Sequence, residues 1–291
     1  MASREILLVV LSAFLHALWN TTTKGSRSPV AFALWIAALT GGSALILLPF
    51  FDLADIPEHV WWILGVTGVL HALYFYWLAK GYESGDLSLV YPIARSTPAF
   101  VPLVAVPVLG EHLSLLGAVG IATVVFGIWL VHAEGRRWRS LRTPAAVYAL
   151  LTLATTVGYS LLDKEGMAAL NKVDWSGPAP RAVVYFCIEE AIMFVLFLPL
   201  ALREVGSETV LRIGRSELGT WLFAAIASFA SYALILEVFR TAPVSYVVAA
   251  RQLSVLFAVG IAAVYLQERP SRMRLLGSAA TVLGVGLVST A

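Results

Sequence analysis

Residues 87–111 read LSLVYPIARSTPAFVPLVAVPVLGE, with one charged side chain, Arg95, before the final glutamate. A helix needs roughly 20 apolar residues to cross the hydrocarbon core of a bilayer, and this run is long enough. Each of its four prolines removes a backbone donor and disfavours helical geometry in the preceding residue. In a bilayer such backbone persists only where protein or a watery cavity surrounds it. The stretch predicts a bent membrane helix beside a cavity, with Pro92, Pro98 and Pro102 as gating or kink residues; the alternative is a bent helix with a structural role only.

The composition of the whole chain agrees with a membrane protein. Of 291 residues, 59% are hydrophobic and 13% are charged, whereas about 25% are charged in a typical soluble domain. So few charges cannot cover a water-soluble body of this size, which excludes a cytosolic enzyme, a nucleic-acid-binding protein and a disordered chain. The single cysteine, Cys187, excludes an intrachain disulfide, and no spacing of Cys and His resembles a metal site.

Ten stretches of the chain are long and apolar enough to span a bilayer. They predict an all-α polytopic membrane protein with ten transmembrane helices joined by short loops. Arginines concentrate in the links after the fifth, seventh and ninth spans, and the positive-inside rule then places both termini outside the cytoplasm. The predicted spans are 6–22, 30–50, 60–80, 87–109, 113–131, 145–162, 182–202, 218–239, 244–266 and 275–289.

The chain also matches itself. Glu111 and Gly120 recur as Glu268 and Gly277 at a constant offset, since 268 − 111 and 277 − 120 both equal 157. The match predicts two five-span halves, 1–140 and 141–291, which enter the membrane in opposite directions because five is odd. Inverted repeats in transporters permit rocking about a site at the midplane. The ninth span has a proline only at its start, Pro243, so the halves are expected to bend unequally, with the fourth span as the mobile element.

These features carry a family resemblance that covers almost the whole chain. Gly110-Glu111 and Gln267-Glu268 each end the fourth helix of a half, and a glycine-containing helix follows each pair. The pattern resembles the EamA repeats of the drug/metabolite transporter superfamily, although Gln267 stands where glycine is usual. The aromatic-rich spans are most similar to the YddG-like aromatic amino-acid exporters. The resemblance implies an exporter of small metabolites in the bacterial inner membrane.

Charged side chains inside a bilayer are costly and usually face a cavity or a partner. Arg95 and Arg251 lie at depth in the fourth and ninth spans, and Glu189 and Glu190 in the seventh. The guanidinium fork suits a carboxylate, so the arginines are candidates to bind that of an amino acid; the alternative is a structural Arg–Glu pair. Neighbouring helical residues point about 100° apart, so we expect one glutamate to face inward and the other to be paired or near an interface. Either glutamate, or His16, is a candidate for proton coupling.

Polar and aromatic stripes recur in the first and sixth spans. His16, Trp19 and Asn20 share one helix face, and the stripe of Thr156, Tyr159, Ser160 and Asp163 repeats that spacing. An aromatic-lined pocket with a few polar groups suits an amphipathic small molecule, while the alternative for each single aromatic is helix packing. A central cavity between spans 1, 3, 4, 6, 8 and 9 is predicted. Its predicted substrate-binding residues are Trp19, Asn20, His71, Tyr74, Tyr91, Arg95, Tyr159, Ser160, Tyr232, Arg251 and Gln252.

No nucleotide-binding loop, metalloprotease motif or nucleophile motif occurs, so we expect no catalytic residue, cofactor or bound metal. The prediction is a secondary transporter that exports amino acids, including aromatic or apolar ones, by alternating access. Its expected partners are the small-molecule substrate and the lipid bilayer, without nucleic acid, in a monomer or homodimer. Two alternatives stay open: a drug- or nucleoside-like exporter of the same superfamily, and a membrane scaffold that transports nothing. The energy source is open between facilitated diffusion and proton exchange.

Overall fold

The structure, a computed structural model, describes residues 1–84, 87–132, 143–265 and 271–291, without the side chains of residues 87–89, 91 and 262–265. All regular secondary structure in this described part is helical, which confirms the predicted all-α fold class. The arginine-rich link after the fifth span and the pair Gln267-Glu268 lie outside the described residues. The helices are α1 (Ser3–Gly25), α2 (Pro29–Leu47), α3 (Glu58–Glu83), α4 (Leu87–Ala94), α5 (Thr97–Leu109), α6 (Leu115–Val131), α7 (Pro144–Leu170), α8 (Arg181–Ser216), α9 (Leu218–Phe239), α10 (Val244–Ala250), α11 (Leu253–Tyr265) and α12 (Arg272–Thr290).

Nine segments of the described chain are long and apolar enough to cross a membrane, and α6 is a shorter apolar helix. They correspond to the predicted spans. In lipid every backbone polar group must be hydrogen-bonded within its own segment, so an apolar run that spans the membrane forms a helix. The ends differ most in α7 and α8, which continue to Leu170 and Ser216. Charged residues limit the apolar run at these ends but do not interrupt the helical hydrogen bonds. Helix α8 changes direction at Gly206, whose φ of 75° is one that glycine adopts readily.

The fourth and ninth predicted spans are each divided into two helices. Helix α4 is separated from α5 at residues 95–96, and α10 from α11 at residues 251–252. Both spans therefore break, and the expectation that the halves bend unequally stays a prediction. At the two breaks the N–H groups of Ser96 and Gln252 bond carbonyls three residues earlier, at 3.0 and 3.1 Å, rather than the four of an α-helix.

The two breaks have different causes. Pro98, at the start of α5, has no N–H to continue the hydrogen bonds of α4. The second break contains no proline. There the side-chain amide of Gln252 donates to the Val248 carbonyl at 3.2 Å, which the Gln252 backbone N–H would bond in a continuous helix. A search for prolines does not detect this second kind of break.

The helices pack mainly in four pairs: α1 with α9, α2 with α8, α3 with α7, and α6 with α12. Glycines permit the last pair. A methyl group on Gly127 would lie 2.7 Å from the Gly277 carbonyl oxygen, and one on Gly120 would lie 2.9 Å from that of Gly284. The sequence leaves open whether this glycine stripe forms a dimer; within the described chain it brings α6 and α12 together.

Candidate functional site

A central cavity lies between the helices and has two adjoining lobes. The predicted spans 1, 3, 4, 6, 8 and 9 all contribute to it, and α8, the seventh span, contributes too. The lining of the polar lobe includes Arg95, Thr97, Thr152, Thr156, Ser160 and Gln252. The lining of the aromatic lobe includes Trp19, His71, Phe75, Phe186, Glu190, Ser228 and Tyr232. His16, Tyr74, Tyr159 and Arg251 border both lobes.

Most predicted site residues meet in this cavity. Two of the predicted substrate-binding and proton-coupling residues lie elsewhere: Asn20, which accepts a hydrogen bond from the Tyr82 hydroxyl at 2.9 Å, and Glu189, which lies in the helix packing beside the cavity. The side chain of Tyr91 is outside the described residues. The residues that the structure brings to the cavity are Trp19, His71, Tyr74, Arg95, Tyr159, Ser160, Tyr232, Arg251 and Gln252, together with His16 and Glu190.

Both helix breaks open onto the polar lobe. Arg95 and Thr97 line the lobe at the first break, and Arg251 and Gln252 line it at the second. The predicted kink residues Pro92, Pro98 and Pro102 are themselves buried. The prolines therefore affect the backbone beside the cavity, and their side chains do not line it. The irregular backbone faces a cavity, as expected for a broken helix in lipid.

Aromatic rings form the wall of the aromatic lobe. Trp19 and Phe75 are stacked with centroids 6.0 Å apart and an interplanar angle of 15°. The His71 ring stacks on Tyr159 at 4.0 Å, and Tyr74 meets Tyr159 edge to face at 5.5 Å. These contacts fix the ring orientations, so the lobe is a preformed apolar surface rather than a set of independent side chains.

Arg251 stands between the two lobes. Its guanidinium lies 5.1 Å above the Tyr232 ring, within cation–π range, and its Nη2 is 3.2 Å from Nδ1 of His16. The same His16 nitrogen accepts from the Trp19 indole N–H at 3.2 Å. The Nε of Arg251 and the side-chain oxygen Oε1 of Gln252 are buried without a hydrogen-bond partner. The cavity wall thus holds one unmatched donor on a charged group and one unmatched acceptor.

A buried acidic cluster lies beside the aromatic lobe; we use this name for Asp163, Glu189 and Glu190. All three side chains are at most 2% exposed. Oε1 of Glu189 pairs with Nδ1 of His71, while its Oε2 is buried without a partner. Oε2 of Glu190 accepts from the Thr40 hydroxyl. Of the two glutamates, Glu190 lines the aromatic lobe, while Glu189 is paired with His71 in the helix packing beside it.

Asp163 is the residue that the sequence reasoning missed as a charge at depth. It is fully buried on α7 and accepts from the hydroxyls of Tyr232, Thr67 (2.7 Å) and Tyr185 (3.1 Å). The predicted sixth span ends one residue before Asp163, so its carboxylate was not counted among the charges inside the membrane. Its position on the same helix face as Tyr159 is the feature of the sequence that could have identified it as part of the site. The donors come from α3, α8 and α9, and the sequence does not specify those contacts.

The ligand atoms of His71, Asp163 and Glu189 lie within 4.8 Å of one another, a spacing at which three such residues can hold a metal ion. The Asp163 oxygens, however, already accept from three hydroxyls.

Glu111, the motif glutamate at the end of the fourth span, bonds the start of α10 through the Val244 N–H and the Ser245 hydroxyl. It therefore joins the end of the fourth span to the start of α10.

The comparisons with known proteins agree with this architecture. One solved structure, described only as the crystal structure of a protein, matches 100% of this chain and 98% of its own with a TM-score of 0.73 and 17% sequence identity. At this identity the likeness shows the fold alone. No curated protein matches the chain. The model of the EamA-like transporter family matches residues 3–133 and 181–290. The two matched segments together cover most of the chain. The chain therefore belongs to the EamA-like transporter family, a family of membrane transporters in the drug/metabolite transporter superfamily.

Proposed function

We propose that this protein is a secondary transporter that exports amino acids, including aromatic and apolar ones, and related small metabolites by alternating access. The observation that carries the proposal is the guanidinium of Arg251, whose Nε is buried without a hydrogen-bond partner. An unmatched buried donor on a charged group is costly unless a ligand supplies the acceptor. The planar fork of arginine matches a carboxylate, and every amino acid carries one.

The two lobes give an amino acid a defined orientation. With its carboxylate on Arg251, the molecule lies where the lobes meet. The unpartnered Oε1 of Gln252 is an acceptor for its ammonium group. An apolar or aromatic side chain then fits the aromatic lobe beside Trp19 and Phe75. A pocket of mostly apolar walls with few polar groups is the usual form of a small-molecule site.

Alternating access is supported by the positions of the two helix breaks. We propose that residues 1–140 and 141–291 are inverted repeats that rock about the cavity. The breaks at 95–96 and 251–252 both border the polar lobe. The four main helix pairs join a span of one half to a span of the other, which is the arrangement that two related halves would adopt. Local backbone changes at the breaks would then open one side of the cavity while closing the other.

Within the family, we propose that the chain is closest in function to the YddG-like aromatic amino-acid exporters of the bacterial inner membrane. The support is the aromatic lobe, whose rings are fixed by mutual contacts.

A second candidate substrate is an aromatic cation of the drug-like kind, because Glu190 borders the aromatic lobe. Competition in proteoliposomes separates the two candidates. The assay measures the exchange of radiolabelled L-phenylalanine outside for unlabelled L-phenylalanine inside. Either unlabelled leucine or tetraphenylphosphonium is added as the competitor. The proposal expects leucine to compete and tetraphenylphosphonium not to compete; the reverse result would favour the drug-like exporter.

A further inference from the structure

Glu111 holds the start of α10 from another part of the chain. Its carboxylate accepts from the Val244 N–H and from the Ser245 hydroxyl at 2.6 Å, and the Ser245 N–H lies at 3.3 Å as a third donor. The first N–H groups of a helix have no partner within the helix, and here one carboxylate serves two of them. Gly110, which ends α5, has a φ of 67° that glycine adopts readily, and the chain turns there from α5 into Glu111.

The contact lies at the end of the molecule where α1 begins and α12 ends. The Met1 ammonium donates to the Ser289 carbonyl at 3.3 Å. Glu5 accepts at 2.6 Å from the hydroxyl of Thr241, which belongs to the link between α9 and α10. The start of α10 is therefore at this end too, and we call it the Glu111 end.

Helices α5 and α10 both run from the Glu111 end to the polar lobe. Thr97 is the first residue of α5, and Arg251 directly follows α10; both line that lobe. The two helices also pack against each other. Glu111 thus joins, at one end of the molecule, the two helices that border the cavity at their other ends.

Helix α10 links Glu111 to Arg251, the residue proposed to bind the substrate carboxylate. The helix has seven residues, so it is about 10 Å long. At the cavity, Arg251 contacts one face of the Tyr232 ring and one nitrogen of His16, and the helical backbone breaks there. The position of the guanidinium therefore depends on how α10 is held at its start.

We propose that Glu111 is a positioning residue for Arg251 and a latch for the cavity. While Glu111 holds α10, the guanidinium is placed for the substrate carboxylate and the cavity is closed toward the Glu111 end. When Glu111 releases α10, Arg251 is displaced and the cavity opens on that side. The inference rests on the proposed function and adds the contact that controls one exit for the substrate.

Substrate binding and closure of this exit favour each other. If the release of α10 weakens the binding of a carboxylate by some factor, binding of that carboxylate favours the closed arrangement by the same factor. Such factors are typically about 5 to 150. A ligand without a carboxylate lacks this contact with Arg251, so it should leave the bond between Glu111 and α10 unchanged.

The experiment measures hydrogen exchange at the start of α10 in the purified full-length protein, by mass spectrometry. The amides of Val244 and Ser245 exchange when Glu111 releases them. Saturating L-phenylalanine should slow this exchange by about 5- to 150-fold, and phenethylamine, which has no carboxylate, should not. Neither residue belongs to the described lining of the cavity, so the ligand does not shield these amides directly.

Two variants and a matched control make the result specific. Glu111→Gln should exchange faster at these amides without ligand and should bind L-phenylalanine more weakly, by up to the same factor, with its affinity for phenethylamine unchanged. A general loss of stability would instead weaken both ligands alike. Ser245→Ala removes one donor and should change both quantities in the same direction by less. Glu5→Gln changes the other glutamate described at this end, which bonds Thr241, and should behave like the wild type.

The outcomes separate this inference from the proposed function. If L-phenylalanine binds without slowing exchange at the start of α10, or if Glu111→Gln keeps the full preference for L-phenylalanine over phenethylamine, the latch is wrong and the transporter proposal stands. Faster exchange on binding would mean that the substrate opens the Glu111 end, and would also overturn the latch. If no amino acid binds, the proposed function fails and the inference fails with it.

Discussion

Replacing Arg251 with glutamine tests how the cavity recognises a carboxylate. The substitution removes the guanidinium that lies 5.1 Å above Tyr232 and leaves a shorter polar side chain. A hydrogen bond to a charged buried group contributes about 1.5–3 kcal/mol. The Arg251→Gln protein should therefore bind L-phenylalanine about 10- to 150-fold more weakly than the wild type.

The assay is a comparison of two ligands on two proteins. Phenethylamine has the ring and amine of phenylalanine but no carboxylate. The wild type should prefer phenylalanine by a factor similar to the loss caused by the substitution, and Arg251→Gln should bind the two ligands nearly equally. Isothermal titration calorimetry gives the four dissociation constants. Thermal melting of both proteins separates a lost ligand contact from lost stability, because the substitution also removes the contact with Tyr232.

A second arginine provides the control. Arg240, just after α9, bonds Asn171 at 2.9 Å and Glu237 at 2.7 Å, away from the cavity. Arg240→Gln should retain the wild-type preference for phenylalanine. If the Arg251→Gln protein also retained that preference, the carboxylate would bind elsewhere and the orientation argued for the substrate would be wrong.

Three further predictions concern stability and the effect of pH. Gly127→Ala should lower the free energy of unfolding by about 1–3 kcal/mol, because its methyl group would lie 2.7 Å from the Gly277 carbonyl oxygen; Gly286→Ala, with open space around it, should not, and unfolding in detergent measures both. Thr40→Val should cost about 1–3 kcal/mol in the same assay, since the buried Glu190 carboxyl loses its donor; an unchanged midpoint would contradict that contact. The Ser176 N–H holds the pKa of Asp55 below its usual value, so this loop contact should be complete above about pH 4 and be lost as the pH falls through the lowered pKa. Hydrogen exchange at the Ser176 amide measures it, and protection that did not fall in acid would refute the assignment.

The sequence predicted the spans because one property, the length of an apolar run, decides both membrane insertion and helix formation. It also predicted much of the cavity lining, since the helical repeat places Trp19 with His16, and Tyr159 with Ser160, on common faces. Arg95 and Arg251 were identified because a charge at depth requires a partner or a cavity. These inferences use local spacing alone.

The remaining features depend on contacts between helices that local spacing does not contain. Asp163 lies beyond the apolar run of its span, yet Thr67, Tyr185 and Tyr232 from three other helices bury it. The break at Gln252 comes from a side chain bonding its own helix rather than from a proline. Asn20 shares a face with Trp19, but its oxygen accepts from Tyr82 outside the cavity lining.

The central claim is that the cavity between the two breaks carries amino acids across the membrane. The most direct measurement is counterflow of radiolabelled L-phenylalanine into proteoliposomes preloaded with the unlabelled amino acid. The wild type should accumulate label transiently above its equilibrium level, and the Arg251→Gln protein, reconstituted in equal amount, should do so much more slowly. Label that enters wild-type vesicles no faster than protein-free vesicles would contradict the account.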